Sequence, residues 1–216
     1  MNQVCPLCAT AGAAWLGEGK TPPRPYYRCA VCQLTFVPRK FFIDAAEEKS
    51  RYEEHENHPK DPKYRAFLKP VFDAVIPRVK PGAAGLDYGC GPGPALVEMF
   101  REAGYAAEGY DPFFAPRTEL LERQYDFVTC SEAAEHFHDP AKELRTLHGL
   151  LKPGGCLTVL TQTWNDVTPF LEWYYTRDPT HVSFFHAATF AWLAQAHGWN
   201  LAAAEKNLFV LEKITA

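Results

Sequence analysis

Apolar positions along the chain switch repeatedly between helical and strand-like spacing. From Lys63 to about Val79, the side chains Phe67, Leu68, Val71, Phe72, Val75 and Ile76 recur at helical spacing, which predicts an amphipathic helix. Asp61-Pro62 caps that helix, Pro70 sits where it can kink it, and Lys80-Pro81-Gly82 closes it. Upstream, Asp44 with Glu47 three residues on resembles a capping box and predicts a polar helix ending near His58-Pro59. Downstream, a short strand beginning at Gly85 enters a glycine turn. An amphipathic helix then runs to Gly104, and a second strand, about Tyr105 to Tyr110, ends at Asp111. Alternation of this kind predicts an α/β fold on a parallel sheet.

Composition narrows the class without choosing it. With 216 residues, 47% hydrophobic and 22% charged, the chain has the proportions of a globular protein, so disorder and fibrous architectures are excluded. The chain has no 18-residue apolar run, and its first 20 residues lack the basic start and apolar middle of a signal peptide. A cytoplasmic location and no membrane association are the expectation.

Charge is divided unevenly. Residues 1–40 hold Lys20, Arg24, Arg28, Arg39 and Lys40 against the single acid Glu18, whereas the remainder carries a balance of −8. An acidic body argues against an extended phosphate-tracking surface, so nucleic acid could be held only through the N-terminal segment. The plainer alternative is that five cations decorate a small solvated hairpin.

Four of the seven cysteines form two C-x-x-C pairs, Cys5–Cys8 and Cys29–Cys32, separated by 20 residues. That spacing predicts a structural zinc site, since two knuckles aim four thiolates at one tetrahedral ion and leave no position open for water. Redox dithiols or disulfides are the competing reading. Cys90, Cys130 and Cys156 lie in or beside apolar strands and read as inert core thiols.

The segment Gly85-Leu86-Asp87-Tyr88-Gly89-Cys90-Gly91-Pro92-Gly93-Pro94 places a G-x-G-x-G turn between strand and helix. Glycines there let backbone approach a ligand closely, and the helix start favours an anion. A dinucleotide fingerprint would need glycine at position 94, where Pro94 stands. Asp111, 22 residues after Gly89, is placed to accept both hydroxyl protons of a ribose; alternatively it opens the turn at Asp111-Pro112.

At these residues the sequence resembles the class I S-adenosylmethionine-dependent methyltransferases. The resemblance rests on Leu86 to Gly93, on Gly109-Tyr110-Asp111-Pro112, on Tyr125 to Pro140 with its Glu135-His136 pair, and on Leu150 to Gly155 running into Cys156 to Leu160. It implies a Rossmann-like, doubly wound sheet of seven strands, closed by a hairpin of Asn200–Lys206 and Leu208–Ile214. Only 13 residues, Pro112 to Gln124, separate the ribose acid from the Tyr125 strand, so the third strand is expected to be reduced or absent. The implied organisation is a zinc ribbon over 1–40, a linker helix over 41–62 and a transferase domain over 63–216.

By position, the resemblance implies that Asp87, Gly89, Gly91 and Gly93 hold the methionine end of S-adenosylmethionine, Asp111 the ribose, Pro112 and Phe113 the adenine, and Cys130 to Glu132, with Ser131 at its centre, the floor beneath the sulfonium. His181 and His136 are candidate bases, with Asp178 as orienting partner of His181; for His136 the alternative is that the Glu-His pair merely holds its loop. Residues 164–185 carry seven aromatics in 22 positions, well above the chain average of 14%, so Trp173, Tyr174, Tyr175 and Asp178 are candidates for binding an apolar acceptor. Packing of the insertion onto the sheet would explain the same rings. Tyr52, His55 and Asn57 could close the pocket from the linker, or form a polar helix face. The functions left open are methyl transfer to a small molecule, RNA base methylation aided by the ribbon, and a non-catalytic scaffold whose ribbon docks a partner; oligomeric state is not readable.

Overall fold

The structure is a computed structural model that describes residues 3–54 and 58–215. The N-terminal strands are β1 (Gln3–Val4), β2 (Ala11–Lys20), β3 (Pro23–Arg28) and β4 (Thr35–Phe36). Helix α1 (Ala45–Glu53) starts where Asp44 accepts from the Ala46 and Glu47 N–H groups, and it is shorter than expected. Helix α2 (Pro62–Val75) is capped by Asp61 and buries Leu68, Val71 and Val75. It passes through Pro70 but stops before Pro77, where a single 3₁₀ turn follows, because proline offers no N–H and restrains the residue before it.

From there β5 (Ala84–Tyr88), α3 (Ala95–Glu102), β6 (Ala106–Tyr110), β7 (Tyr125–Ser131), α4 (Pro140–Gly149) and β8 (Leu151–Leu160) build the parallel part of a sheet. A two-residue strand β9 (Ser183–Phe184), helix α5 (Ala187–Ala196) and the hairpin β10 (Trp199–Glu205) with β11 (Leu208–Lys213) complete the chain. The sheet order is β10-β11-β8-β7-β5-β6, with β11 antiparallel to β8.

That sheet has six strands among the described residues rather than the seven that the resemblance implies, and the one lacking is the third, expected from the short connection to be reduced or absent. Between β6 and β7 only a 3₁₀ turn, Thr118–Glu122, is present, and its Leu120 is fully buried. A parallel crossover alone consumes about a dozen residues, so this short connection has no length left for a further strand. Apolar side chains cover both faces, Leu86, Val128 and Leu157 on one and Val71, Phe100 and Phe127 on the other. Gly85 is fixed by this packing, since a Cβ there would lie 2.0 Å from the Phe127 ring.

The strands that flank the cysteine turns do not stand apart from the body. Strand β9 pairs with β4, Thr35 opposite Phe184 and Phe36 opposite Ser183, so the N-terminal sheet has five strands in the order β1-β2-β3-β4-β9. Within it, Cys5 and Cys32 sulfurs lie 3.5 Å apart and Cys8 and Cys29 sulfurs 3.4 Å apart. Tyr26 packs edge-on against Phe170 and Phe184. Arg24 is only 1% exposed, which contradicts the picture of five solvated cations. It donates to the Pro179 and Asp178 carbonyls at 2.7 Å each, to the Thr176 carbonyl at 3.2 Å and to the Tyr26 hydroxyl at 2.9 Å. Arg28 is also engaged, paired with Asp166 at 2.8 Å and stacked over Trp164. No helix among the described residues is long and apolar enough to cross a membrane.

A buried carboxylate sits at the end of β5. Asp87 accepts from the Thr129 hydroxyl at 2.7 Å, yet burial, reinforced by the Asp111 charge, lifts its pKa to about 6. Because the folded value lies above the unfolded one, the ionised form destabilises the fold: stability from this group falls as pH rises from about 4 to 6 and stays low above that. Asp87→Asn is therefore expected to raise stability at pH 7 by up to about 3 kcal/mol, the equivalent of a two-unit shift, with the gain vanishing below about pH 4. Urea unfolding of both proteins across pH 3 to 8 measures this, and a pH-independent difference would contradict it.

Candidate active site

Strand ends β5, β6 and β7 open onto a cavity of about 770 Å³. One half is made by the glycine turn. Gly89 (φ +78°) and Gly91 (φ +61°) occupy the left-handed region, and the Tyr110 carbonyl accepts from the Gly89 and Cys90 N–H groups. A Cβ at Gly89 would meet Ala133 at 2.6 Å, whereas at Gly91 it would meet nothing within 4 Å. The turn thus presents bare backbone to open space. Asp111 pins it: one carboxylate oxygen accepts from Gly91 N–H at 3.0 Å, and the other from Phe113 and Phe114 N–H at 2.8 and 3.0 Å. Pro112, Phe113 and Ser131 also line the cavity, and the Ser131 hydroxyl is buried without a protein partner. Gly93 and Asp87 lie outside the lining; the Gly93 carbonyl accepts from Ala95 N–H at the start of α3.

The other half is formed by the turn after β7 and by the insertion that follows β8. Glu132 takes a left-handed conformation (φ +47°), an unusual one for a residue with a side chain, and burial beside Glu135 pushes its carboxyl up to about 8. Glu135 is 1% exposed and accepts from the Tyr175 hydroxyl and, at 2.8 Å, from the Thr161 hydroxyl. His136 and His181 stand with ring centres 4.8 Å apart. Each directs Nδ1 at a backbone carbonyl, His136 at Thr180 (3.3 Å) and His181 at Tyr175 (2.8 Å). Carbonyls only accept, so each Nδ1 is read as carrying the proton and each Nε2 as bearing the lone pair.

Two expectations change here. As a candidate base His181 is expected to titrate near neutral pH, the ordinary range of an imidazole; burial, with the neighbouring His136, lowers it to about 4, so it is a neutral imidazole at pH 7. Nor does Asp178 set its tautomer. The Asp178 carboxylate is engaged by Thr180, through N–H at 2.9 Å and hydroxyl at 2.6 Å, and its other oxygen is 3.8 Å from His181 Nε2.

The aromatic insertion is divided between two tasks. Tyr174 and Tyr175 line the cavity, while Trp173 lies outside the lining and packs on Phe170, Phe184 and Tyr175. Tyr52 closes the roof between the halves, its ring 5.7 Å from Phe113 and 5.0 Å from His136, and its hydroxyl donates to buried Glu48 at 2.7 Å. His55 and Asn57 lie outside the described residues. Glu48, Glu143 and His138 also line the cavity and were not singled out from sequence, whereas Glu132 is expected only in the floor segment and Glu135 only as half of the Glu-His pair; the spacing Glu132-x-x-Glu135-His136 directly after a strand was the available signal for their joint placement. Among the described lining residues there are six carboxyl groups and no Lys or Arg.

A family model described as a methyltransferase domain matches residues 58–204. The chain is 34% identical over 120 residues to the ubiquinone biosynthesis O-methyltransferase of Pseudomonas paraeruginosa (strain PA7), covering 41% of this chain and 51% of that protein. It is 34% identical over 93 residues to that of Yersinia pestis (strain Pestoides F), covering 32% and 38%. The chain spans about half the length, or less, of these curated relatives. Among solved structures, the fold is similar to the 1,6-didemethyltoxoflavin N1-methyltransferase of Burkholderia thailandensis, solved with 1,6-didemethyltoxoflavin and S-adenosylhomocysteine bound (TM-score 0.56, 14% identity, 87% of this chain and 98% of that one). An O-methyltransferase family protein from the same organism is also similar (TM-score 0.51, 17% identity, 78% and 63%). With the family model spanning well over half of the residues, the chain belongs to the methyltransferase domain family.

Proposed function

We propose that the chain transfers a methyl group from S-adenosylmethionine to a small-molecule acceptor, with residues 63–216 as the transferase domain. The observation that carries the reading is the two-part cavity: a bare glycine turn with Asp111 and an unpartnered Ser131 hydroxyl on one side, and a histidine and tyrosine wall on the other. The first half fits the cofactor. Open space over Gly91 admits its methionine end, the Asp111 oxygen that accepts only from Gly91 N–H keeps one acceptor position for a ribose hydroxyl, and Pro112 and Phe113 offer an apolar edge to adenine. Glu48, Asp111, Glu135, Glu143 and Asp178, with no lysine or arginine among the described lining residues, suit a cationic donor.

S-adenosylmethionine supplies a methyl group already activated on a positively charged sulfur. The protein is left to align and to exclude water. Tyr52, Tyr174 and Tyr175 narrow the cavity around the acceptor, and His136 with His181 faces the acceptor from the β7 side. Arg24 and Arg28 are consumed within the fold, which weighs against a ribbon that grips RNA.

For the four cysteines we infer a structural zinc. Their sulfurs all lie within 4.8 Å of one another, and an ideal ZnS₄ tetrahedron with bonds of about 2.3 Å has edges of about 3.8 Å. The Cys5 thiol is lowered by the hydrogen bond from Cys32, the direction that favours the thiolate a zinc ion takes.

Isothermal calorimetry is expected to find S-adenosylmethionine binding and no NAD binding, with Asp111→Ala weakening the former about 10- to 100-fold, the scale of hydrogen bonds to a charged group. Label from methyl-tritiated donor is expected in the metabolite fraction of a cell extract; label in the RNA fraction would overturn the acceptor reading. Elemental analysis of protein prepared without chelator is expected to give one zinc bound at the cysteine cluster per chain. Cys29→Ser should lose that zinc and melt at lower temperature, and retention of the zinc would refute the assignment.

A further inference from the structure

The cavity contains a second cluster with the donors of a metal site, distinct in chemistry from the four thiols. Glu135, His136 and His181 each place one ligand atom within 4.8 Å of the others, with Glu135 Oε1 4.0 Å from His136 Nε2. All three are braced from behind. The Tyr175 and Thr180 carbonyls hold the Nδ1 atoms of the two imidazoles, which leaves both Nε2 lone pairs free, and the Tyr175 and Thr161 hydroxyls hold the Glu135 carboxylate. Outer partners that fix tautomer and ring orientation in this way are the usual support of metal-ligating histidine and carboxylate. Tyr175 braces two of the three ligands at once.

Charge gives an independent pointer. Glu48, Asp111, Glu135, Glu143 and Asp178 line the described part of the cavity with no lysine or arginine opposing them, and Glu132, whose carboxyl is pushed up to about 8 by burial beside Glu135, adds no charge near neutrality. A sulfonium donor brings one net positive charge, which leaves a surplus of negative groups gathered around the histidines. Hydrogen bonds offset part of it, as in Tyr88 to Glu143 at 2.5 Å and Thr180 to Asp178, but they supply no counter-charge.

We propose that Glu135, His136 and His181 bind a divalent first-row transition metal ion on the acceptor side of the cavity. Two imidazoles and one carboxylate suit manganese, iron, cobalt or zinc, whereas magnesium and calcium prefer all-oxygen shells. Three protein ligands leave positions open toward the cavity. The following role rests on the methyl-transfer reading above. An acceptor hydroxyl bound to the ion loses its proton to water at lower pH than when free. Its oxygen then forms the bond to the methyl carbon as the sulfur–carbon bond breaks, and that electron pair stays on sulfur as a neutral thioether. The acceptor class is thus a small molecule with a hydroxyl able to coordinate the ion, such as one of two adjacent hydroxyls on a ring.

The test uses the full chain with zinc retained in the cysteine cluster, dialysed briefly against a mild chelator and titrated with Co²⁺ alone, followed by visible absorption and calorimetry. One additional equivalent is expected, with the weak bands of a nitrogen–oxygen site and without thiolate charge-transfer bands. His136→Ala and Glu135→Gln should each weaken uptake by about 100-fold or more. His136→Gln replaces His136→Ala should that variant lose its folded circular dichroism. No uptake up to about 1 mM, thiolate charge-transfer bands, or uptake untouched by these substitutions would overturn the proposal. Affinity for S-adenosylmethionine is measured on the same samples: binding of the donor without cobalt uptake removes the metal site alone, and cobalt uptake without donor binding removes the methyl-transfer reading alone.

Discussion

A single buried guanidinium holds the N-terminal sheet to the wall of the cavity. Arg24 is removed from water without a carboxylate partner. It is compensated by three main-chain carbonyls, of Thr176, Asp178 and Pro179, and by the Tyr26 hydroxyl. Those carbonyls belong to the loop that carries Tyr175, Asp178 and His181. Burying such a charge is costly unless its donors are matched, so the loop has one conformation that satisfies it. The β4–β9 pairing and the Tyr26, Phe170 and Phe184 rings complete the junction. The N-terminal strands β1–β4 thereby act on the cavity although none of their residues lines it.

Burial also explains the electrostatics of the cavity. Solvent exclusion raises Asp87 and Glu132 and lowers His181, each toward its neutral form. The result is a region where fixed dipoles, from the Tyr175 and Thr180 carbonyls and the Thr161 hydroxyl, orient the polar groups. The glycine turn has the complementary character. Its geometry comes from backbone freedom at Gly89 and Gly91 and from the Asp111 carboxylate that ties two strand ends together.

What could be read in the sequence was what short-range chemistry determines. Asp44 and Asp61 cap helices because their side chains reach N–H groups two or three residues away, and Gly89 and Gly91 mark a turn because other residues resist its dihedral angles. Counting the residues between Asp111 and Tyr125 exposed the missing strand, although the total of six was obscured by the resemblance to seven-stranded relatives. Long-range pairing was not legible. Nothing adjacent to Arg24 announces its burial against Pro179, and a two-residue strand such as β9 is too short to show a period. Aromatic density in 164–185 showed that rings must bury, but not which: Tyr174 and Tyr175 face the cavity while Trp173 faces Phe170 and Phe184. Glu135 was visible only as half of a Glu-His pair, because its partners Thr161 and Tyr175 arrive from beyond β8.

The dependence of the cavity wall on Arg24 is open to direct measurement by amide hydrogen exchange in Arg24→Met, a substitution that keeps most of the volume and removes the donors. Amides of residues 174–184 are expected to exchange about 100-fold faster or more, since three buried carbonyls lose their partner, while those of β5 and β7 keep their protection. Unchanged protection across 174–184 would show that the loop is held by the rings and β9 alone, and would contradict the account.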